Sequence, residues 1–280
     1  MGQKESKGIY SGIGRNAFVH LLKNEGITLS KEKGQHLLLN PTLLSRICDV
    51  AGVRETDDVL EIGAGIGNLT KVLARRARRV LAVEVDRRFQ PILEKNLAPN
   101  KNVSLFYDDF LKVGREIILR YLSSPFKIVS NIPFSITAPI LQKLVELRED
   151  LVFAVLTVQK EVGDKLIPPP NRYTTPLSLY ITYHFKIERS FIIHKESFFP
   201  PPDVDARVIK LIPQHPPVTI DNEEEFFSFL RKIFRYKRKN IRNALQNAGY
   251  PIPSTSLSLD RRLESLSWEE LKCLFLAVKK

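Results

Sequence analysis

The sequence predicts an α/β protein: a doubly wound, mostly parallel sheet followed by a small C-terminal domain made only of helices. Three observations carry this reading. Short runs rich in Val, Leu and Ile alternate with helix-period segments from Val59 to Val158, which is the spacing of a parallel sheet with crossover helices. The first such run opens into Gly63-Ala64-Gly65-Ile66-Gly67 and resumes as an apolar helical pattern, so a strand feeds a helix through glycines. From Glu223 onward nothing strand-like is present.

The elements follow in order. Residues 1–15 are polar and glycine-spotted and read as an arm; residues 16–24 alternate at helical spacing. Lys31 to Pro41 is a basic entry to a loop, followed by a helix through about Ala51, and Thr56-Asp57-Asp58 marks a turn before the first strand. Leu69 to Ala77 reads as the first crossover helix, Arg79 to Val85 as the second strand, and Phe89 to Leu97 as a helix. Val103 to Tyr107 is the third strand, 113–122 a helix, and Phe126 to Ser130 the fourth strand, ending in Asn131-Ile132-Pro133-Phe134-Ser135. Pro139 to Leu147 is helical and Leu151 to Val158 is the fifth strand. Past a Pro168–Asn171 loop and a helix over 175–184, Phe185 to Ile193 and Ala206 to Ile212 read as an antiparallel pair closing the sheet edge. Helices are expected at 223–235, 239–248 and 267–278, the last opened by a Ser267/Glu270 capping box. The expected boundaries are 1–30 for the arm and first helix, 31–215 for the sheet domain and 216–280 for the helical domain.

Composition limits the partners. The 280 residues are 43% hydrophobic and 26% charged, and 43 basic against 31 acidic residues leave a net charge of +12. That balance favours a polyanion. Cys48 and Cys273 lie far apart; they make neither a disulfide framework nor a zinc site, and imply a reducing, cytoplasmic setting with no metal. No apolar run approaches the roughly 20 residues that span a bilayer, and the N-terminus lacks a secretory apolar region. Met1-Gly2 with Ser6 fits a myristoylation pattern too short to outweigh chance.

In an open parallel sheet, ligands sit beyond the carboxyl ends of the strands. Gly63 and Gly65, Glu84, Asp109 and Asn131 fall at four such ends. Position 68, where a pyrophosphate fingerprint wants glycine, holds Asn68, so the loop suits a nucleoside-type ligand better. Glu84 is placed to accept from ribose hydroxyls, and Asp109 from an adenine amino group. Each acid alone is more often a cap or a solvated turn; their succession in the expected order gives the reading its weight. Asn131-Ile132-Pro133-Phe134 suggests the chemistry. An amide carbonyl and a neighbouring main-chain carbonyl can orient an exocyclic amine, and the ring offers a flipped base a stacking surface. Aimed at a sulfonium methyl, such an amine needs positioning more than a strong base. Arg231 to Arg242 holds seven Lys or Arg and no acid, with Phe234 and Tyr236 interleaved, a pattern that suits phosphates. Arg75, Arg76, Arg78 and Arg79 lie at the opposite end of the sheet and read as a solvated face.

These motifs resemble the KsgA-type rRNA adenine dimethyltransferases over nearly the whole chain. Gly34-Gln35-His36-Leu37-Leu38, Glu61 to Thr70, Glu84-Val85-Asp86, Asp109, Asn131 to Ser135, Phe198 to Asp205 and Phe234 to Leu245 are each similar to a motif of that family. The resemblance implies a class I methyltransferase sheet over 31–215 and an RNA-contacting helical domain over 216–280. It implies S-adenosylmethionine as cofactor, held by His36, Leu38, Gly63, Gly65, Glu84, Asp109 and Asn131. Asn131, Pro133 and Phe134 would hold the target adenine, and Arg235, Lys237, Arg238, Lys239 and Arg242 would bind RNA. The implied reaction is dimethylation of N6 on two adjacent adenines in the 3′-terminal hairpin loop of small-subunit rRNA, by a monomer acting on the pre-small ribosomal subunit. Two positions depart from the family pattern: Leu37 replaces an aromatic residue and Phe134 the commoner tyrosine. From the residues alone an Erm-like enzyme of large-subunit rRNA, a non-enzymatic assembly or transcription factor and, more distantly, a nicotinamide oxidoreductase stay open.

Overall fold

The computed structural model describes residues 22, 26–29, 34–167 and 175–279. The expected N-terminal arm, the 16–24 helix apart from Leu22, Lys31 to Lys33 and the Pro168–Asn171 loop lie outside the described residues. In chain order the elements begin with β1 (Leu37–Leu38), α1 (Pro41–Ala51), β2 (Asp58–Ile62), α2 (Asn68–Ala74), β3 (Arg79–Val83), α3 (Gln90–Leu97) and β4 (Val103–Phe106). Next come α4 (Arg115–Tyr121), β5 (Phe126–Asn131), α5 (Thr137–Glu146), β6 (Leu151–Gln159) and α6 (Lys160–Leu166). The remainder are α7 (Pro176–His184), β7 (Phe185–Ile193), β8 (Phe198–Phe199), β9 (Ala206–Pro213), α8 (Glu223–Phe234), α9 (Ile241–Asn247) and α10 (Trp268–Val278). The chain divides into two compact units, Met1–Gly163 with Glu188–Pro213, and Asp164–Ile187 with Gln214–Lys280. The second unit therefore includes α7, which the sequence reading had placed with the sheet.

In the first unit the sheet order is β4-β3-β2-β5-β6-β9-β7. The pairs β2–β3, β3–β4, β2–β5 and β5–β6 are parallel, and β9 runs antiparallel to β6. The chain winds outward through β2, β3 and β4, then returns to lay β5 beside β2. That return makes the gap between β2 and β5 the topological switch point, where open sheets bind ligands. All five residues of β2 are buried, as expected for a central strand covered on both faces. Beneath one face, Leu44, Ile47 and Cys48 of α1 pack with Val59, Leu73, Val129 and Val155. On the other, Phe89, Ile92, Leu93 and Leu97 pack with Ala82 and Ile66. Asn40 starts α1 by accepting from the Thr42 and Leu43 amides, and Gly52 ends it in the left-handed region.

Three local readings change. β3 ends at Val83 rather than Val85, which puts Glu84 and Asp86 on the loop beyond it. The ribbon β1–β8 was not foreseen, because two-residue strands are too short to show a period. Nor was α6, whose Gly163 weakens its helical pattern.

Three of the four arginines read as a solvated face make structural ion pairs, while Arg75 is exposed. Arg76 binds Asp49 at 2.6 Å and Ser45 at 2.6 Å. Arg78 and Arg79 both bind the carboxylate of Asp58, the first residue of β2, and the Ser123 amide donates to the same group at 2.6 Å. Burial alone would raise the pKa of Asp58; the hydrogen bonds from Arg79, Arg78 and Ser123 outweigh it and hold the carboxyl down at about 2.

In the second unit Leu179, Phe226, Leu230, Ile233, Leu245, Leu263, Leu271 and Phe275 form the core. Tyr183 joins them and donates its hydroxyl to Val218 O at 2.8 Å. Both capping-box bonds between Ser267 and Glu270 are present.

Asp58→Asn is expected to lower unfolding free energy by roughly 1–2 kcal/mol in urea titrations, since it removes the buried charged acceptor of two half-exposed guanidinium groups and the Ser123 amide at the foot of β2. Because the folded pKa lies below the ordinary aspartate value, the stabilisation is present above about pH 4. It fades as pH falls toward 2, and the variant should lack that acid-sensitive component.

Candidate active site

The carboxyl ends of β2, β3, β4 and β5 border one cleft of about 790 Å³, a volume suited to a nucleoside-sized ligand. Gly63, Glu84, Asp109 and Asn131 all line it, with His36, Gly65 and Pro133. Leu38 and Phe134 do not: Leu38 is 3% and Phe134 9% exposed, and both side chains belong to the core.

The floor is the glycine loop. Gly63 and Gly65 have φ of 76° and 57°, which other residues adopt only with strain. A Cβ on Gly63 would lie 3.3 Å from Pro133 Cδ, and one on Gly65 would lie 2.8 Å from Leu37 Cδ2. The loop thus runs close beneath two other walls of the cleft. Leu37, the departure from the family's aromatic residue, fills the space above Gly65. The Gly65 amide donates to Glu84 Oε2 at 2.7 Å, and the Asp86 amide to Glu84 Oε1 at 2.8 Å. Glu84 therefore shapes the loop while each oxygen keeps a second lone pair. Burial raises its pKa, only partly countered by these amides. Behind the loop, burial pushes Glu61 up to about 8, with Thr70 lowering and Glu84 raising it, so its carboxyl is protonated at neutral pH.

The segment before α1 forms the roof. Gly34, with φ of 66°, would place a Cβ 3.0 Å from the amides of both Phe134 and Ser135. Gln35 Nε2 donates to Asp86 Oδ2 at 2.9 Å. His36 Nδ1 lies 2.7 Å from Pro200 O, a contact that requires the proton on Nδ1. Leu37 and Leu38 pair with Phe199 and Phe198. Asn68, at the position that excludes a pyrophosphate loop, donates to Leu38 O at 3.2 Å.

Asn131 lies where these walls meet. Its Nδ2 donates to His36 O at 3.1 Å. Its Oδ1 is buried and has no hydrogen-bond partner among the described residues. Such an atom costs stability unless a ligand satisfies it. Thr157, which pairs with Asn131 in register, also carries a buried hydroxyl without a partner among the described residues. Sequence reading missed Thr157 because it lies inside a plain apolar strand. Of the carbonyls that follow Asn131, Pro133 O accepts from Ile136 N at 3.2 Å and Phe134 O from Thr137 Oγ1 at 3.0 Å. The Phe134 ring packs 5.7 Å from His36 and 6.1 Å from Phe198.

In the helical unit, Arg235, Arg238, Lys239 and Arg242 are exposed and Lys237 half-buried. The stretch between α8 and α9 is a turn, not helix. Asn240 caps α9 by accepting from the Asn243 amide and bridges to Arg262. This brings exposed Arg262 beside the predicted basic segment, a neighbour that sequence spacing hides.

Comparison with known proteins gives concordant matches. The family model for ribosomal RNA adenine dimethylase matches residues 27–266. The ribosomal RNA small subunit methyltransferase A of Bacillus pumilus is 36% identical over 89% of this chain and 91% of its own. That of Geobacter metallireducens is 34% identical over 90% and 96%. Among solved structures, a dimethyladenosine transferase from Plasmodium falciparum superposes with a TM-score of 0.70 at 25% identity, over 86% of this chain and 96% of that one. The 23S rRNA methyltransferase ErmE gives 0.63 at 23% identity over 87% and 100%, a likeness of fold alone.

Gly34→Ala is expected to destabilise by roughly 2–3 kcal/mol in urea unfolding, since it adds a steric clash with two amides to the backbone strain. Gly26→Ala has a similar φ of 67° but nothing among the described residues within 4 Å of the added carbon, and should cost only about 1 kcal/mol.

Proposed function

The chain belongs to the ribosomal RNA adenine dimethylase family, and from that premise we propose that it transfers methyl groups from S-adenosylmethionine to N6 of adenines in small-subunit rRNA. The chain is thus a methyltransferase enzyme. The finer reading is two methyl groups on each of two adjacent adenines of the 3′-terminal hairpin loop, placed by a cytoplasmic monomer on assembling small subunits. Among the described residues no helix is long and apolar enough to cross a membrane.

The observation that carries this is the unsatisfied Asn131 Oδ1 at the edge of a cleft floored by Gly63 and Gly65. The residues fit the cofactor. Bare glycine backbone admits close approach, Glu84 keeps lone pairs for ribose hydroxyls, and Asp109, which also lines the cleft, would accept from an adenine amino group. When bound, S-adenosylmethionine supplies a methyl on positively charged sulfur. Everything else falls to the chain. Asn131 Oδ1 accepts from the target N6–H and turns the nitrogen lone pair toward that methyl. A neighbouring main-chain carbonyl of the Asn131 to Phe134 segment is the second acceptor. His36 O holds the Asn131 carboxamide in the one orientation that presents oxygen rather than nitrogen. No strong base is needed, since the amine loses its proton after attack, and positioning supplies most of the acceleration. An acceptor-only grip also tolerates a monomethylated amine, which retains one N–H for the second transfer. For a flipped adenine to stack on Phe134, the ring must leave His36 and Phe198.

Arg235, Lys237, Arg238, Lys239 and Arg242 hold RNA phosphates in this reading, with Arg262 added to the surface. Their contribution is sequence-independent and salt-sensitive.

Asn131→Ala should lower kcat by about 10²-fold or more while S-adenosylmethionine binding stays within about tenfold. Primer extension across the rRNA, with calorimetry of cofactor binding, reads both. Loss of cofactor binding in step with rate would assign Asn131 to the cofactor alone. Replacing Arg238, Lys239 and Arg242 together by Ala should leave single-turnover rate at saturating RNA unchanged. It should flatten the slope of log K against log salt by about 2, and an unchanged slope would remove these residues from the interface.

A further inference from the structure

The hydroxyl of Ser130 occupies the switch point itself. Backbone pairing between β2 and β5 is registered only at Val59 with Lys127 and Leu60 with Ile128. Two residues further along in the same register, past Glu61 and Val129, Ile62 and Ser130 would face each other, and there a side-chain bond joins the strands. The Ile62 amide donates to Ser130 Oγ at 2.7 Å. Both groups are buried, Ser130 at 0% and Ile62 at 2% exposure. A side chain has taken over the bond that a strand carbonyl would make in a regular sheet.

The two residues joined this way lie directly before the two halves of the site. Ile62 precedes Gly63, the first glycine beneath the cofactor. Ser130 precedes Asn131, whose Oδ1 awaits the target amine. Past the Leu60–Ile128 pair, the Ile62–Ser130 bond ties these strands together on the side of the cleft. In the methyltransferase reading, the gap it spans lies between the glycine floor that would hold the methyl donor and Asn131, which would hold the acceptor. Methyl transfer depends steeply on that separation, because reacting atoms must approach to about 3–3.5 Å in line.

We propose that Ser130 is a positioning residue that sets the distance between the glycine floor and Asn131, and thereby the rate of methyl transfer rather than the affinity for either substrate. The inference rests on the methyltransferase reading above. Loss of the Ser130 acceptor leaves each half-site intact but free to drift. The second transfer, which must seat a bulkier monomethylated amine, is the more sensitive step, so the monomethylated product accumulates.

The test uses the full chain with S-adenosylmethionine and small-subunit rRNA particles, with nucleoside mass spectrometry of mono- and dimethyladenosine. Ser130→Ala removes the acceptor. Ser130→Cys keeps a side chain of similar shape but supplies only a weak acceptor. Both variants are expected to lose about tenfold in kcat, with KM for cofactor and RNA within twofold and a raised share of monomethyladenosine. Full recovery of kcat in Ser130→Cys would show that Ser130 merely fills space, and would overturn the proposal. So would kcat within twofold of wild type in Ser130→Ala, or a rise in either KM at unchanged kcat. Should the alanine variant fail to fold, the cysteine variant carries the same discrimination alone. If the wild-type chain itself modifies no adenine, the enzymatic reading fails rather than the role of Ser130.

Discussion

One hydrogen bond organises the site: the Asn131 amide nitrogen donates to the carbonyl of His36. A carboxamide is nearly symmetric in shape and opposite in chemistry at its two ends. Fixing the nitrogen against a main-chain carbonyl leaves the oxygen buried and unsatisfied, on a residue that lines the cleft. That arrangement holds only while His36 stays where it is. His36 is held by its ring contact with Pro200 O, by the strand pairs that Leu37 and Leu38 make just after it, and by Gly34 pressed against the Phe134 and Ser135 amides. Segments from three distant parts of the chain thus converge to orient one oxygen atom.

The parallel sheet was legible because strands of four to nine residues alternate with helical periods and each is bounded by turn residues. The polar groups at strand ends were legible for the same reason: a strand's carboxyl end is readable once the strand is. Their grouping around one cleft follows from the order β4-β3-β2-β5, which short right-handed crossovers predict. Side-chain direction was not legible. Phe134 was read as a surface for a base, yet its ring is packed among His36 and Phe198. Leu38 was read as a cofactor contact, yet its side chain lies in the core. An aromatic or aliphatic residue beside a site carries no sequence mark that separates wall from core.

Charge was the least legible property. Arg76, Arg78 and Arg79 look in sequence like a basic patch, and the fold spends them on Asp49 and Asp58. Arg262 looks isolated in sequence, and the bridge to Asn240 sets it beside the basic turn. Pairing between residues far apart in sequence decides which cations remain available, and periodicity cannot report such pairs. Hydroxyls such as Ser130 and Thr157 are hidden in the same way, since a small polar residue within an apolar strand looks like an ordinary lapse in hydrophobicity.

The ribbon of Leu37–Leu38 with Phe198–Phe199 has a bearing on synthesis. The roof of the cleft comes from an early segment whose partner emerges only after most of the chain has left the ribosome. Until then the roof segment has its contacts with Asn131, Phe134 and Ser135 but lacks the ribbon, and closing so large a loop is an entropically late event. A nascent or prematurely ended chain therefore carries every cofactor motif beneath a roof still missing its second anchor, which the Phe198 segment supplies on its return.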